Sequence, residues 1–99
     1  MAKYDVYLRQ PGQGFLLDVQ AELFADLNTR VVVPLLPLEI APAQGHQLNP
    51  TFEIEGQGYS MVSQYISAVP TNQLKERVTN LSDRSWEVSN AREMLFQGF

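Results

Sequence analysis

The 99 residues include no cysteine, one histidine and one tryptophan. Without cysteine there is no disulfide framework and no thiol nucleophile. That fits a reducing compartment, and the cytoplasm is the expected location. His46 has no second imidazole and no thiol to complete a metal set, so it reads as a solvated loop histidine. No metal and no cofactor are expected. Long apolar runs are also missing. None approaches the ~20 residues of a membrane span, and Met1-Ala2-Lys3-Tyr4-Asp5 lacks the apolar core of a signal peptide, so no membrane contact is expected. Basic residues are few: seven against eleven acidic ones, for a net charge of −4. Binding a nucleic-acid backbone calls for a basic face, so this chain alone is not expected to bind one. A basic or mixed protein partner suits it better. Enzyme signatures are absent too. Gly12-Gln13-Gly14 lacks the rest of a dinucleotide or Walker pattern and reads as a turn. No serine stands beside a base in a nucleophile motif. Glu53 and Glu55 share one strand face and read as solvated rather than as an acid/base pair.

What is present describes a folded domain. Hydrophobic residues make up 44% and charged ones 18%, which argues against disorder. The length predicts a single domain over residues 1–99. The strongest strand signal is Arg30-Val31-Val32-Val33-Pro34-Leu35-Leu36. β-branched side chains favour a pleated surface, and an unbroken apolar run predicts burial on both faces. The central strand is expected over about Arg30–Val33, with Pro34, which lacks an N–H, turning the chain out. Arg30 at its mouth is either a solvated strand start or one half of an ion pair, with Asp18 as the candidate partner.

The rest divides into short pieces. Tyr4, Val6 and Leu8 alternate within Lys3–Leu8, as in a strand facing a core on one side. Gln10–Gly14 is turn chemistry, and Phe15–Val19 is the return strand of a hairpin. Gln20–Leu27 is either a short helical turn or an irregular connection, with Leu23 and Phe24 exposed in it. Pro37–Asn49 reads as a long loop with a helical turn near Leu38–Ala41. Pro50–Ile54 and Tyr59–Ser63 form a second hairpin about a turn at Glu55–Gly58. Ile66–Val69 extends the sheet after a bend at Ser63–Gln64, and Pro70 ends it. Short strands with regular turn signals predict an all-β barrel or sandwich. The period then changes. With Ser82 as N-cap, a helix is expected over about Asp83–Phe96, with Val88, Ala91, Leu95 and Phe99 on its narrow apolar face. Gly98 is a natural helix stop. Trp86 lies off that face, and a surface position packed under a loop is preferred over an interface.

Asp18-Val19-Gln20, Arg30–Leu35, Ser67-Ala68-Val69-Pro70, Asn80-Leu81-Ser82 and the closing Leu95-Phe96-Gln97-Gly98-Phe99 occur collinearly. In that order and at this length the chain resembles the CcdB family of bacterial toxins. The resemblance implies a mainly β (α+β) fold: a small antiparallel SH3-like barrel, shared with MazF-type toxins, plus one C-terminal helix. It also implies a homodimer that binds the A subunit of DNA gyrase and holds the enzyme with its DNA cleaved. A cognate CcdA-like antitoxin neutralises such toxins and would supply the DNA-binding half of transcriptional autoregulation. On this resemblance the chain is not an enzyme.

Carried over by position, the gyrase contact is Gln97, Gly98 and Phe99, with Leu23, Phe24 and Glu93 nearby. Leu95 belongs to the dimer interface or the core. Two positions depart from the family's best-known member: Gln97 replaces a tryptophan, and Phe99 replaces an aliphatic residue. Two alternatives remain. One is a MazF-like endoribonuclease toxin, which needs a cationic, proton-transferring site. The other is a detoxified CcdB-like interaction module.

Overall fold

The computed structural model describes residues 2–9, 13–24, 26–42 and 48–97. Seven strands are present among them: β1 (Asp5–Leu8), β2 (Phe15–Asp18), β3 (Thr29–Pro37), β4 (Thr51–Ile54), β5 (Gln57–Met61), β6 (Ser67–Pro70) and β7 (Arg77–Asn80). A single α-helix follows, α1 (Ser85–Gln97). The strands run antiparallel in the order β4-β5-β3-β2-β1-β7, and β6 also pairs with β3. The result is a strongly curled half-barrel carrying one C-terminal helix, a mainly β fold as expected.

The long strand β3 produces the curl. Along one edge it pairs with β2, Phe15 opposite Leu35 through Asp18 opposite Val32. Along the other edge its first half pairs with β6 and its second half with β5. Pro34 sits where the partner changes, and it does not turn the chain out: the strand continues to Pro37. The Pro34 carbonyl accepts the Val62 N–H at 3.0 Å. In a strand the nitrogen of a residue faces the same side as its carbonyl, here the gap between β5 and β6. No ladder partner there needs an N–H, so proline is tolerated mid-strand.

β3 is buried on both faces. Val33 and Leu35 enter the main core with Val6, Phe15, Leu17, Phe52, Ile54 and Met61, and α1 closes that core with Val88 and Ala91. Phe15 meets Tyr59 edge-on, with ring centroids 4.9 Å apart. Val32 faces the other way, into a smaller cluster with Tyr7 and Leu74.

Other expectations shift in detail. The second hairpin is tighter than four residues: Glu55 (φ 54°) and Gly56 (φ 80°) alone form its turn, as in a two-residue type I′ connection. Gly14 (φ +90°) is required by contact, since a Cβ there would lie 2.1 Å from the Leu35 carbonyl oxygen. The strand β7 had no sequence signal, because Val78 is the only apolar residue of Arg77–Asn80. It forms by pairing with β1. Ser82 does not cap the helix. Ser82–Arg84 is a 3-10 turn, and the Asn80 side-chain oxygen accepts the Ser82 N–H at 2.8 Å. Ser63–Tyr65 is likewise a 3-10 turn at the expected bend. The Pro37–Asn49 loop begins with a turn in which the Ile40 and Ala41 N–H groups donate to the Pro37 carbonyl at 3.0 Å.

Candidate functional site

Asp18 and Arg30 are both fully buried. Oδ2 of Asp18 accepts Arg30 Nε at 2.8 Å and stands 2.6 Å from Nη2. Of the two readings of Arg30, the ion pair is the one observed. The other oxygen, Oδ1, accepts the Gln20 N–H at 3.0 Å. The Gln20 amide then spans the next loop, accepting the Val31 N–H at 3.0 Å and donating to the Phe24 carbonyl at 2.8 Å. So Asp18, Gln20 and Arg30 form one bracket beneath the 3-10 turn Glu22–Phe24. That turn holds Leu23 and Phe24 in solvent, 85% and 51% exposed. Burial raises the Asp18 carboxyl above its ordinary range, against the opposing pull of the Gln20 N–H and of Arg30.

A second bracket holds the helix approach. Asp5 Oδ1 accepts Arg77 Nε at 2.8 Å and Asn80 Nδ2 at 2.9 Å. Its Oδ2 accepts the Ala2 N–H at 2.9 Å and the Tyr7 hydroxyl at 3.3 Å. Burial alone would raise Asp5. The hydrogen bonds from Asn80, Arg77 and Ala2 outweigh it and hold the carboxyl below its ordinary value. Tyr7 is pushed up to about 12, by burial first and then by the charges of Asp5 and Asp18. Arg84 fixes the first turn: it pairs with Glu87, donates to the Thr51 carbonyl at 3.2 Å, and lies 4.5 Å from the centre of the Phe52 ring.

From these anchors α1 runs out into solvent. Val88 and Ala91 are buried, Leu95 is half-buried, and Phe96 is 67% exposed, so cover thins towards the last turn. Glu93 and Gln97 are exposed. Gly98 and Phe99 lie outside the described residues. Trp86 is 66% exposed rather than packed under a loop. The sequence matches the family described as CcdB protein over residues 3–98. The chain belongs to the CcdB family. The motif positions that carry the likeness in this CcdB-family chain are the two brackets and the helix they orient.

One feature has no counterpart in the sequence reading. A groove of about 1180 Å³ opens on the sheet face opposite the main core. Leu16, Pro34, Leu36 and Val69 form its apolar floor. Arg9 and Lys75 stand on its rim with Gln13, Asn72 and Gln73. No carboxylate or imidazole lines it, and neither cation has an ion pair among the described residues. Arg9 and Gln13 come from the first hairpin and Ile40 from the long loop, so two segments far apart in sequence border one groove. Pairing across β3 brings them together, which no local signal could announce. His46 and the Gln10–Gly12 turn lie outside the described residues. Among the described residues no cluster of three metal-ligating side chains occurs. No helix is long and apolar enough to cross a membrane.

Proposed function

We propose that this chain is a non-enzymatic toxin of a toxin–antitoxin system. It binds the A subunit of DNA gyrase and traps the complex in which DNA is cleaved. The observation that carries this reading is the family match over residues 3–98. The solvent-facing helix end supports it, because a contact built from Gln97, Gly98 and Phe99 needs a helix that projects from the sheet. The mechanism is preferential binding to an open gyrase state, which shifts the population towards that state. Leu23, Phe24 and Glu93 are exposed and available to the same target.

The working unit is a two-fold homodimer. Leu95 and Phe96 are apolar but only partly covered, as expected of residues that a second copy buries. The antitoxin docks in the groove. Its apolar floor and paired cations suit a segment with apolar and acidic side chains that folds on binding. An endoribonuclease needs a proton-transferring group beside its cations, and the groove offers Arg9 and Lys75 without one.

Gln97 makes the test sharp. Losing a stacked aromatic hot spot costs ~2 kcal/mol, about thirtyfold in affinity. An enteric gyrase is therefore poisoned weakly, Gln97→Trp binds it more tightly, and deleting Gly98 and Phe99 abolishes binding without unfolding. Gyrase A affinity and accumulation of linearised DNA are measured for all three proteins. Equal binding by the three would remove the tail from the contact. RNA cleavage by the pure protein would replace this reading with the nuclease.

A further inference from the structure

Helix α1 has a second stripe that the fold does not use. Opposite Val88 and Ala91, the residues Trp86, Asn90, Glu93 and Gln97 fall within about 60° of arc at 100° per residue. All four are exposed. Among the described residues none of them makes a side-chain hydrogen bond, an ion pair or a ring contact. Helix propensity does not favour tryptophan at such a position over alanine or glutamate. An indole left mostly in water is also the side chain most enriched among binding hot spots.

We infer that Trp86 is a second anchor for gyrase A, the partner that takes the Gln97–Phe99 segment. This rests on the proposed function. Trp86 and Gln97 lie on the same side of one helix, about 16 Å apart along its axis at 1.5 Å per residue. A partner surface that receives Gln97 and continues along the helix meets the indole. Glu93 lies between them, and the exposed Asp83 precedes the helix, so the partner's facing rim is basic. A guanidinium there stacks on the indole, and a second cation pairs with Glu93. The aromatic contact that Gln97 cannot make is thereby supplied by Trp86, about three turns earlier on the same face.

Trp86 is the only tryptophan, so labelling with 5-fluorotryptophan gives one fluorine resonance. The full-length labelled protein is titrated with the cognate gyrase A subunit. The expected result is a shifted, broadened resonance on binding. Trp86→Ala then weakens binding tenfold or more at an unchanged melting temperature, and Trp86→Phe keeps part of the affinity. If wild type binds, deletion of Gly98 and Phe99 abolishes binding and the resonance stays put, the toxin reading stands and this inference falls. A shifted resonance with full affinity in Trp86→Ala also overturns it, making the indole a bystander. A resonance that moves with the protein's own concentration assigns the stripe to a second copy and overturns it. No gyrase binding by wild type overturns both readings.

Discussion

At the scale of single residues, the buried charges set the sharpest expectations. Asp18 and Arg30 are desolvated together, and breaking such a pair leaves one charge buried without its partner. Arg30→Met alone should lower stability by about 3–5 kcal/mol. The double variant Asp18→Leu/Arg30→Met should recover most of that loss, and urea unfolding of the three proteins checks it. Tyr7 gives a pH signature. Its hydroxyl titrates at about 12 in the fold against an ordinary 10.0. A raised acid contributes stability that is fully present below pH 10 and lost as pH climbs towards 12. At about 1.4 kcal/mol per tenfold the loss is ~3 kcal/mol. Tyr7→Phe should flatten the stability curve in that window. Asp5 acts at the other end, because its carboxyl is lowered. Its contribution is present above its ordinary 3.8 and is lost as pH falls through the lower folded value.

At the scale of elements, turns decide register. The β4–β5 turn places Glu55 at positive φ, where a non-glycine residue is strained. Asn-Gly is the preferred pair for such a turn, so Glu55→Asn should raise the melting temperature, with a gain of roughly 0.5–1 kcal/mol. Calorimetry measures it. Gly14→Ala should do the opposite by ~2 kcal/mol or more, since its Cβ would strike the Leu35 carbonyl. The helix was legible because Val88 and Ala91 keep a 3.6-residue period. β7 was not, because an edge strand with one apolar residue is specified by its partner β1 rather than by its own pattern. Pro34 misled for a related reason: a missing N–H ends a strand only where a neighbour needs the donor.

At the scale of the whole molecule, partner choice divides between two surfaces. The helix stripe and the Leu23–Phe24 turn belong to the proposed gyrase contact, the groove to the proposed antitoxin. Charge reversal at the groove, Arg9→Glu with Lys75→Glu, should weaken antitoxin binding tenfold or more and leave gyrase affinity within twofold. Two titrations by calorimetry check it. Sedimentation at micromolar concentration should give twice the 11.2 kDa chain mass. A shift towards the single-chain mass in Leu95→Ala would place that residue in the interface.

The sequence by itself determined the elements that rest on local chemistry. These are β3 with its β-branched run, the two hairpins with their glycine turns, and the helix with its apolar period. It also determined the family, through collinear motifs whose partners it could not join. Only the tertiary structure decided that Asp18, Gln20 and Arg30 form one bracket, and that Asp5 gathers Arg77 and Asn80 from far along the chain. It alone brought Arg9 and Lys75 to one groove. The physical reason is the same in each case. Periodicity and turn propensity are properties of neighbouring residues, whereas ion pairs and grooves depend on which strands pair, and strand pairing is settled by burial across the whole sheet.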